Sequence, residues 1–493
     1  MQAHHSATQP PRRSVRSGLL AATALAALLA PAPADGQAPG LETALSSLEL
    51  REIGPAAMGG RVSDLAVVED DPSTFYVGYA TGGLWRTDNH GASWTPVFDD
   101  QPTSSIGAVS LAPSNPNVVW VGTGEPNIRS HISVGKGVYR STDAGRSWDF
   151  LGLENTGRVS RIQVDPRDPD VLYAAGWHRL RWGGGRMEGA GRGSGIWKTT
   201  DGGRTWSELT NGIPSEDKGR IGLAIAPTDP RVLVATIETA RDETTGTYRT
   251  EDAGATWRRV NELNPRPMYY SHIFIDPTDE DRVYVLGTSA YTSDDGGRTF
   301  RQIAERATYD VGVHADHHAL WIDPEDPDHL YLAGDAGLHE SYDRGARFRK
   351  INNFPIAQFY AIGVDMRDPY WVYGGLQDNH SFMGPSQTRH WSGIIDDDWW
   401  QTGFGDGMYW DVDPTNFRYA YGSSNGGTYF RLDPVTGDML DISPREPPGE
   451  DYRFDWTSPL MVSRHDPATV YVAGNRLFIS RDRGVSWERT EDL

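Results

Sequence analysis

Cysteine is absent from the 493 residues. That excludes disulfide staples, thiol catalysis, cysteine-ligated metal and a lipidated cysteine anchor. Positive charge is scarce: 46 Lys and Arg stand against 67 Asp and Glu, a formal net charge of −21. Such a surface argues against nucleic acid and anionic membranes as partners. Long apolar runs are missing too, apart from Gly18 to Ala30. Arg12, Arg13 and Arg16 precede that run and Ala32-Pro33-Ala34 follows it, the layout of an export signal over residues 1–38. The run is short for a membrane span, so an exported protein, periplasmic or extracellular, is expected. No phosphate-cradling glycine loop, serine nucleophile elbow or zinc-protease helix motif occurs.

What the chain has in quantity is 55 Gly, 32 Pro, 17 Trp and 21 Tyr, a composition for short strands and tight turns. One stretch recurs. Thr199-Thr200-Asp201-Gly202-Gly203-Arg204-Thr205-Trp206 reads hydroxyl, any, Asp, any, Gly, any, any, aromatic, and six looser copies begin at Thr87, Ser141, Thr250, Ser293, Ser341 and Ser480. An Asp and a hydroxyl can cap backbone N–H groups in a turn, and Gly supplies the positive φ that closes it. The aromatic can anchor the next strand in an apolar layer. The first six copies follow one another at roughly 40–60 residues, the period of a propeller blade. The longer gap before Ser480 holds two further units, Phe359 to Met383 and Met408 to Arg431, without the turn sequence.

The expected fold is therefore all-β: a β-propeller of four-stranded antiparallel blades. Nine units fit between Arg61 and Leu493, in one ring or as a seven-bladed ring plus part of a second. Residues 39–52 form a lead-in with a candidate ring-closing strand, and residues 53–493 form the propeller. The Asp turns join strands three and four on one rim. Loops joining strands two and three, and successive blades, share the opposite face, where ligands should bind.

The seven turns, with Gly59 to Val62 (GGRV), Gly122 to Asn127 (GTGEPN), His314 to Leu320 (HADHHAL) and Gly374 to Asn379 (GGLQDN), resemble the Asp-box (BNR-repeat) propellers over residues 50–493. That group includes sortilin-type domains, family 74 xyloglucanases and sialidases. The combination is most similar to bacterial secreted proteins with a sortilin-like N-terminal domain, often labelled glycosyl hydrolases. The resemblance places a catalytic aspartate of the family 74 enzymes near Ala80, which cannot move a proton.

On the loop face, Arg61, Asn127, Arg129, Arg158, Arg220, His272, Gln377 and Asn379 are the candidate ligand-binding residues. Charged groups ringing a propeller axis can also simply pair with one another. Glycosidase chemistry needs two carboxylates across a cleft; Asp378, Asp406 and Glu125 are the candidates. Trp399, Trp400 and Trp410, near the acidic run Asp396-Asp397-Asp398, are available to stack on sugars. His314, Asp316 and His318 alternate along one strand face and form a weak metal candidate. No cofactor is called for. The first reading is a monomeric, sortilin-like propeller binding an extracellular protein, peptide or glycan. The alternative is a glycoside hydrolase acting on an extracellular polysaccharide, and whether the chain is an enzyme stays open at this level.

Overall fold

The computed structural model describes residue 45 and residues 51–53, 59–127, 133–181, 187–305, 313–314, 316–351, 353–354 and 356–493. The expected export signal, most of the lead-in and Arg129 lie outside these residues; residues 51–53 are not in a strand. No helix among the described residues is long and apolar enough to cross a membrane.

Nine four-stranded antiparallel sheets follow one another along the chain. We number these blades 1 to 9, over residues 62–96, 106–150, 159–209, 218–261, 272–305, 317–351, 359–402, 407–441 and 460–489. Within each blade the strands pair in chain order, save that a two-stranded hairpin interrupts blade 3 between its second and third strands. The near-continuous apolar runs of the sequence become inner strands buried on both sides, as in Val62–Val67, because each blade face lies against a neighbour.

The recurrent turn has one hydrogen-bond pattern throughout. In blade 3 the Thr199 hydroxyl donates to Asp201 Oδ1 at 2.7 Å and accepts the Gly203 N–H at 3.0 Å. The Thr205 N–H donates to the same Asp201 oxygen at 2.9 Å. Gly203 has φ 85°, where a side chain would be strained. Equivalent Gly N–H to hydroxyl bonds close the other six copies.

The terminal aromatic then ties blade to blade. Trp148, Trp206 and Trp487 donate their indole N–H to Val97 O, Leu151 O and Ile442 O of the preceding blade's edge. Trp94 of blade 1 donates instead to Asn353 Oδ1, just after blade 6, at 3.0 Å. Blade 1 thus treats blade 6 as its predecessor.

The hydrophobic core agrees. Separate apolar clusters join blades 1 and 2, 2 and 3, 3 and 4, 4 and 5, and 5 and 6. A further cluster joins Val62, Phe75 and Tyr79 of blade 1 to Tyr331, Leu338 and Ile351 of blade 6. The ring therefore closes after six blades. Blades 7, 8 and 9 form a separate arc with its own two clusters. The nine units stand as expected in number, but they divide six and three, neither nine in one ring nor seven and two. The outward face of blade 7 leaves Ile362, Val364 and Met366 exposed, as an open end of a blade stack must.

Candidate functional site

Inner strands of the ring begin on one face of the molecule, and their first residues converge on the axis. Arg61 precedes the inner strand of blade 1 and ion-pairs with Glu125, while its Nε donates to Asp335 Oδ1 at 3.1 Å. Asp335 also accepts from the Tyr269 hydroxyl and from His318 Nε2 at 2.8 Å. Burial disfavours the Arg61 charge, yet Asp335, Tyr269 and Glu125 together hold its pKa well above the ordinary value. His272 Nε2 lies 3.0 Å from Asn127 Oδ1, and Arg220 Nη2 lies 2.6 Å from His272 Nε2 and 3.1 Å from its Nδ1. Burial and then Arg220 push the His272 pKa well below its usual range, so it is neutral. Burial also brings Arg220 down to about 9. Deeper along the axis, Arg161 pairs with Asp64, which accepts the Val109 N–H at 3.1 Å.

This network gathers Arg61, Asn127, Arg158, Arg220 and His272, five residues expected to bind ligand, and all are buried. Arg158 donates to the carbonyl of Arg179 at 2.8 Å. Glu125 is fully buried against Arg61, an arrangement that ties the carboxylate into the ring's own structure. Ala80 is buried as well, its carbonyl accepting from the Ser105 hydroxyl. Part of the axial charge is thus paired internally, Arg61 with Glu125 and Asp335 and Arg161 with Asp64.

The accessible chemistry lies at the seam where blade 6 meets the arc. Gln377 and Asn379, also expected to bind ligand, are buried there beside Arg61 and Asp335 around a cavity of about 10 Å³. Asn379 Nδ2 donates to Asp335 O at 3.2 Å and Gln377 O at 3.0 Å, stitching blade 7 onto blade 6. Between them Asp378 is half-buried, in the left-handed region at φ 62°. Asp316, at the start of blade 6, is likewise half-buried at φ 71°. Carboxylate oxygens of Asp316, Asp335 and Asp378 all lie within 4.8 Å of one another.

An all-oxygen trio suits a hard cation such as Ca²⁺ or Mg²⁺, but Asp335 already accepts from Arg61, His318 and Tyr269. The trio shares only Asp316 with the metal candidate read from the sequence. His318 is drawn into the axial network, and neither it nor His314 joins the cluster.

Asp406 has a different part. It is 7% exposed, and donors from three directions converge on it. The Asp378 N–H donates to Oδ1 at 3.1 Å, while the Tyr360 hydroxyl and Trp456 Nε1–H donate to Oδ2 at 3.2 and 3.0 Å. It fixes its neighbours and presents no open oxygen pair to a substrate. Trp410 is buried between blades 7 and 8. Trp400 packs edge-on against Trp371, and Trp399 lies over Gly384. Trp399 and Asp396–Asp398 belong to the connection between strands three and four of blade 7, on the side of the Asp turns, and Trp400 opens strand four. Trp456, 48% exposed, shares the Asp406 carboxylate with the Asp378 backbone, and Phe404, equally exposed, lies two residues before Asp406 against Phe430. Sequence reading passed over both, and over Asp335. The one available signal for Asp335 was its position in a Gly-Asp-Ala-Gly loop between strands two and three, which matches Gly375 to Asp378 in kind.

No model of a known protein family matches the chain. A xyloglucanase of Hypocrea jecorina is 26% identical over 363 residues, covering 62% of this chain and 41% of the relative. A xyloglucanase of a Paenibacillus species is 27% identical over 237 residues, 41% of this chain and 21% of the relative. The human VPS10 domain-containing receptor SorCS2 is 26% identical over 164 residues, 32% of this chain and 12% of the receptor. The chain spans less than half the length of these curated relatives. Among solved structures, that of an ancestral GH74 enzyme superposes with a TM-score of 0.54 at 14% identity, covering 88% of this chain and 68% of that one. That last likeness is one of fold. The chain is a β-propeller similar in sequence to xyloglucanases and, over a shorter stretch, to a VPS10-domain receptor.

Proposed function

We propose that this protein is an exported glycoside hydrolase acting on a xyloglucan-type polysaccharide, with Asp316 and Asp378 as its working carboxylates. The observation that carries the reading is their placement. Two half-buried carboxylates, one from blade 6 and one from blade 7, come within 4.8 Å of one another. That approach is near the ~5–5.5 Å of glycosidases that work by double displacement. Asp378 gives its proton to the departing glycosidic oxygen. Asp316 attacks the anomeric carbon, and water then releases the sugar as Asp378 takes a proton back. The relatives named xyloglucanase support a polysaccharide as substrate.

The test is incubation of purified protein with xyloglucan and its oligosaccharides, followed by assay of reducing ends. Asp378→Asn and Asp316→Asn should each lower the rate by about 10²–10⁴ without loss of fold. Undiminished hydrolysis by either variant removes the pair. A second reading, glycan binding without cleavage, is favoured by Ala80 and by the burial of Glu125 and Asp406. It predicts retention on a xyloglucan gel with no product released.

A further inference from the structure

The buried tyrosines and tryptophans of this fold pack between blades, as Trp120 and Trp410 do, and Trp456 stands apart from them. It sits in the connection from blade 8 to blade 9 with half its surface in solvent, yet its orientation is fixed. Its indole N–H donates to Asp406 Oδ2 at 3.0 Å, its backbone N–H to Asp455 Oδ1 at 2.7 Å, and its carbonyl accepts from Gly426 at 3.2 Å. With the backbone held at two points and the exposed indole at a third, the ring is oriented while a face stays open. The same Asp406 carboxylate holds the backbone N–H of Asp378 and the hydroxyl of Tyr360. Phe404, two residues before Asp406, is equally exposed, and its carbonyl accepts from the Ser424 hydroxyl.

We infer that Trp456 forms a sugar-stacking subsite, and that Asp406 is the positioning residue that couples it to Asp378. The inference rests on the polysaccharide reading above and adds the place where the chain of sugars lies. The C–H face of a pyranose ring packs on an aromatic face by dispersion and weak C–H contacts. Orienting the ring beforehand removes the ordering cost that a free side chain would carry. Sugar bound on Trp456 lies one hydrogen-bonded carboxylate away from the backbone of Asp378. Asp406 is therefore not a proton donor to substrate. It sets the relative position of the subsite and the acid.

Three variants test this with xyloglucan oligosaccharides, read by intrinsic fluorescence, calorimetric binding and steady-state kinetics. Trp456→Ala should raise KM and the dissociation constant about tenfold, with a smaller change in kcat, and should abolish most of the ligand-induced change in tryptophan emission. Trp456→Phe keeps a ring but no N–H, so its affinity should fall between wild type and Trp456→Ala. Asp406→Ala should lower kcat as well as affinity and shift the free protein's emission, because indole and acid are both released. Melting curves establish that each variant is folded. Wild-type affinity in Trp456→Ala, with cleavage intact, overturns the subsite alone. Loss of affinity in Asp406→Ala with kcat unchanged overturns the coupling. A wild-type protein that neither binds nor cleaves any glycan overturns the polysaccharide reading and the subsite with it.

Discussion

Single residues show how two chemically similar carboxylates acquire opposite duties. The turn aspartates Asp201 and Asp252 stand in solvent but accept from a hydroxyl side chain and a backbone N–H four residues on, and these bonds bring their pKa to about 2. Their unfolded value is ~3.9, so the folded form is favoured above about pH 4 and that contribution fades as pH falls toward 2. Melting temperature should drop through this window, and Asp201→Asn or Asp252→Asn should each flatten the slope; an unchanged slope would mean the turns do not couple to the fold. Glu125 tests the other extreme. Replacing it with Ala removes one of the two carboxylates paired with the Arg61 guanidinium, buried to 2% exposure, and leaves Asp335; the loss should cost about 3 kcal/mol in urea unfolding. A stable variant that loses only activity would restore Glu125 as a catalytic candidate. Of the seam, Asp378 and Asp316 could be picked out of Gly-Leu-Gln-Asp-Asn and His-Ala-Asp-His-His. Trp456 could not, because a tryptophan in a loop looks the same in sequence whether its ring points into a core or into water.

At the scale of strands and turns the sequence was most readable. The turn code named seven blades, and the strands around Phe359 and Met408 supplied the other two. Strand boundaries fall where a Gly or an Asp-Pro punctuates the chain, as at Gly195–Thr199 and Val159–Asp165. Closure was not readable, since every blade offers the same apolar pattern on both faces and only the packing of Val62 against Tyr331 reveals which pair meets. Trp94 is the side chain that marks the closing joint. Trp94→Ala should lower stability by about 2–3 kcal/mol, the lower end for a partly exposed tryptophan. Hydrogen exchange should speed up in blades 1 and 6 but not in blades 3 and 4. Uniform loss of protection would mean the joint is no weaker than the rest.

For the whole molecule, the division into six and three has thermodynamic content. Among the described residues no apolar cluster joins blade 6 to blade 7, and the contacts named across that seam are polar. A stack is stabilised by interfaces between neighbours, and the arc has two of them while exposing Ile362, Val364 and Met366 at one end. Scanning calorimetry should resolve two transitions, the arc melting before the ring. A single transition with equal calorimetric and van't Hoff enthalpies would show that the seam is as cohesive as the blade interfaces.

The junction at Asp406 draws its three hydrogen bonds from residues 360, 378 and 456, which lie in or beside blades 7 and 9, while Asp406 itself leads into blade 8. No two of these blades suffice to assemble it. During synthesis the Asp378 loop of blade 7 emerges some eighty residues before Trp456, whose indole shares the Asp406 carboxylate with it, at ~5–20 residues per second. For those seconds the Asp378 loop lacks one arm of the junction, which closes once the connection between blades 8 and 9 has been made.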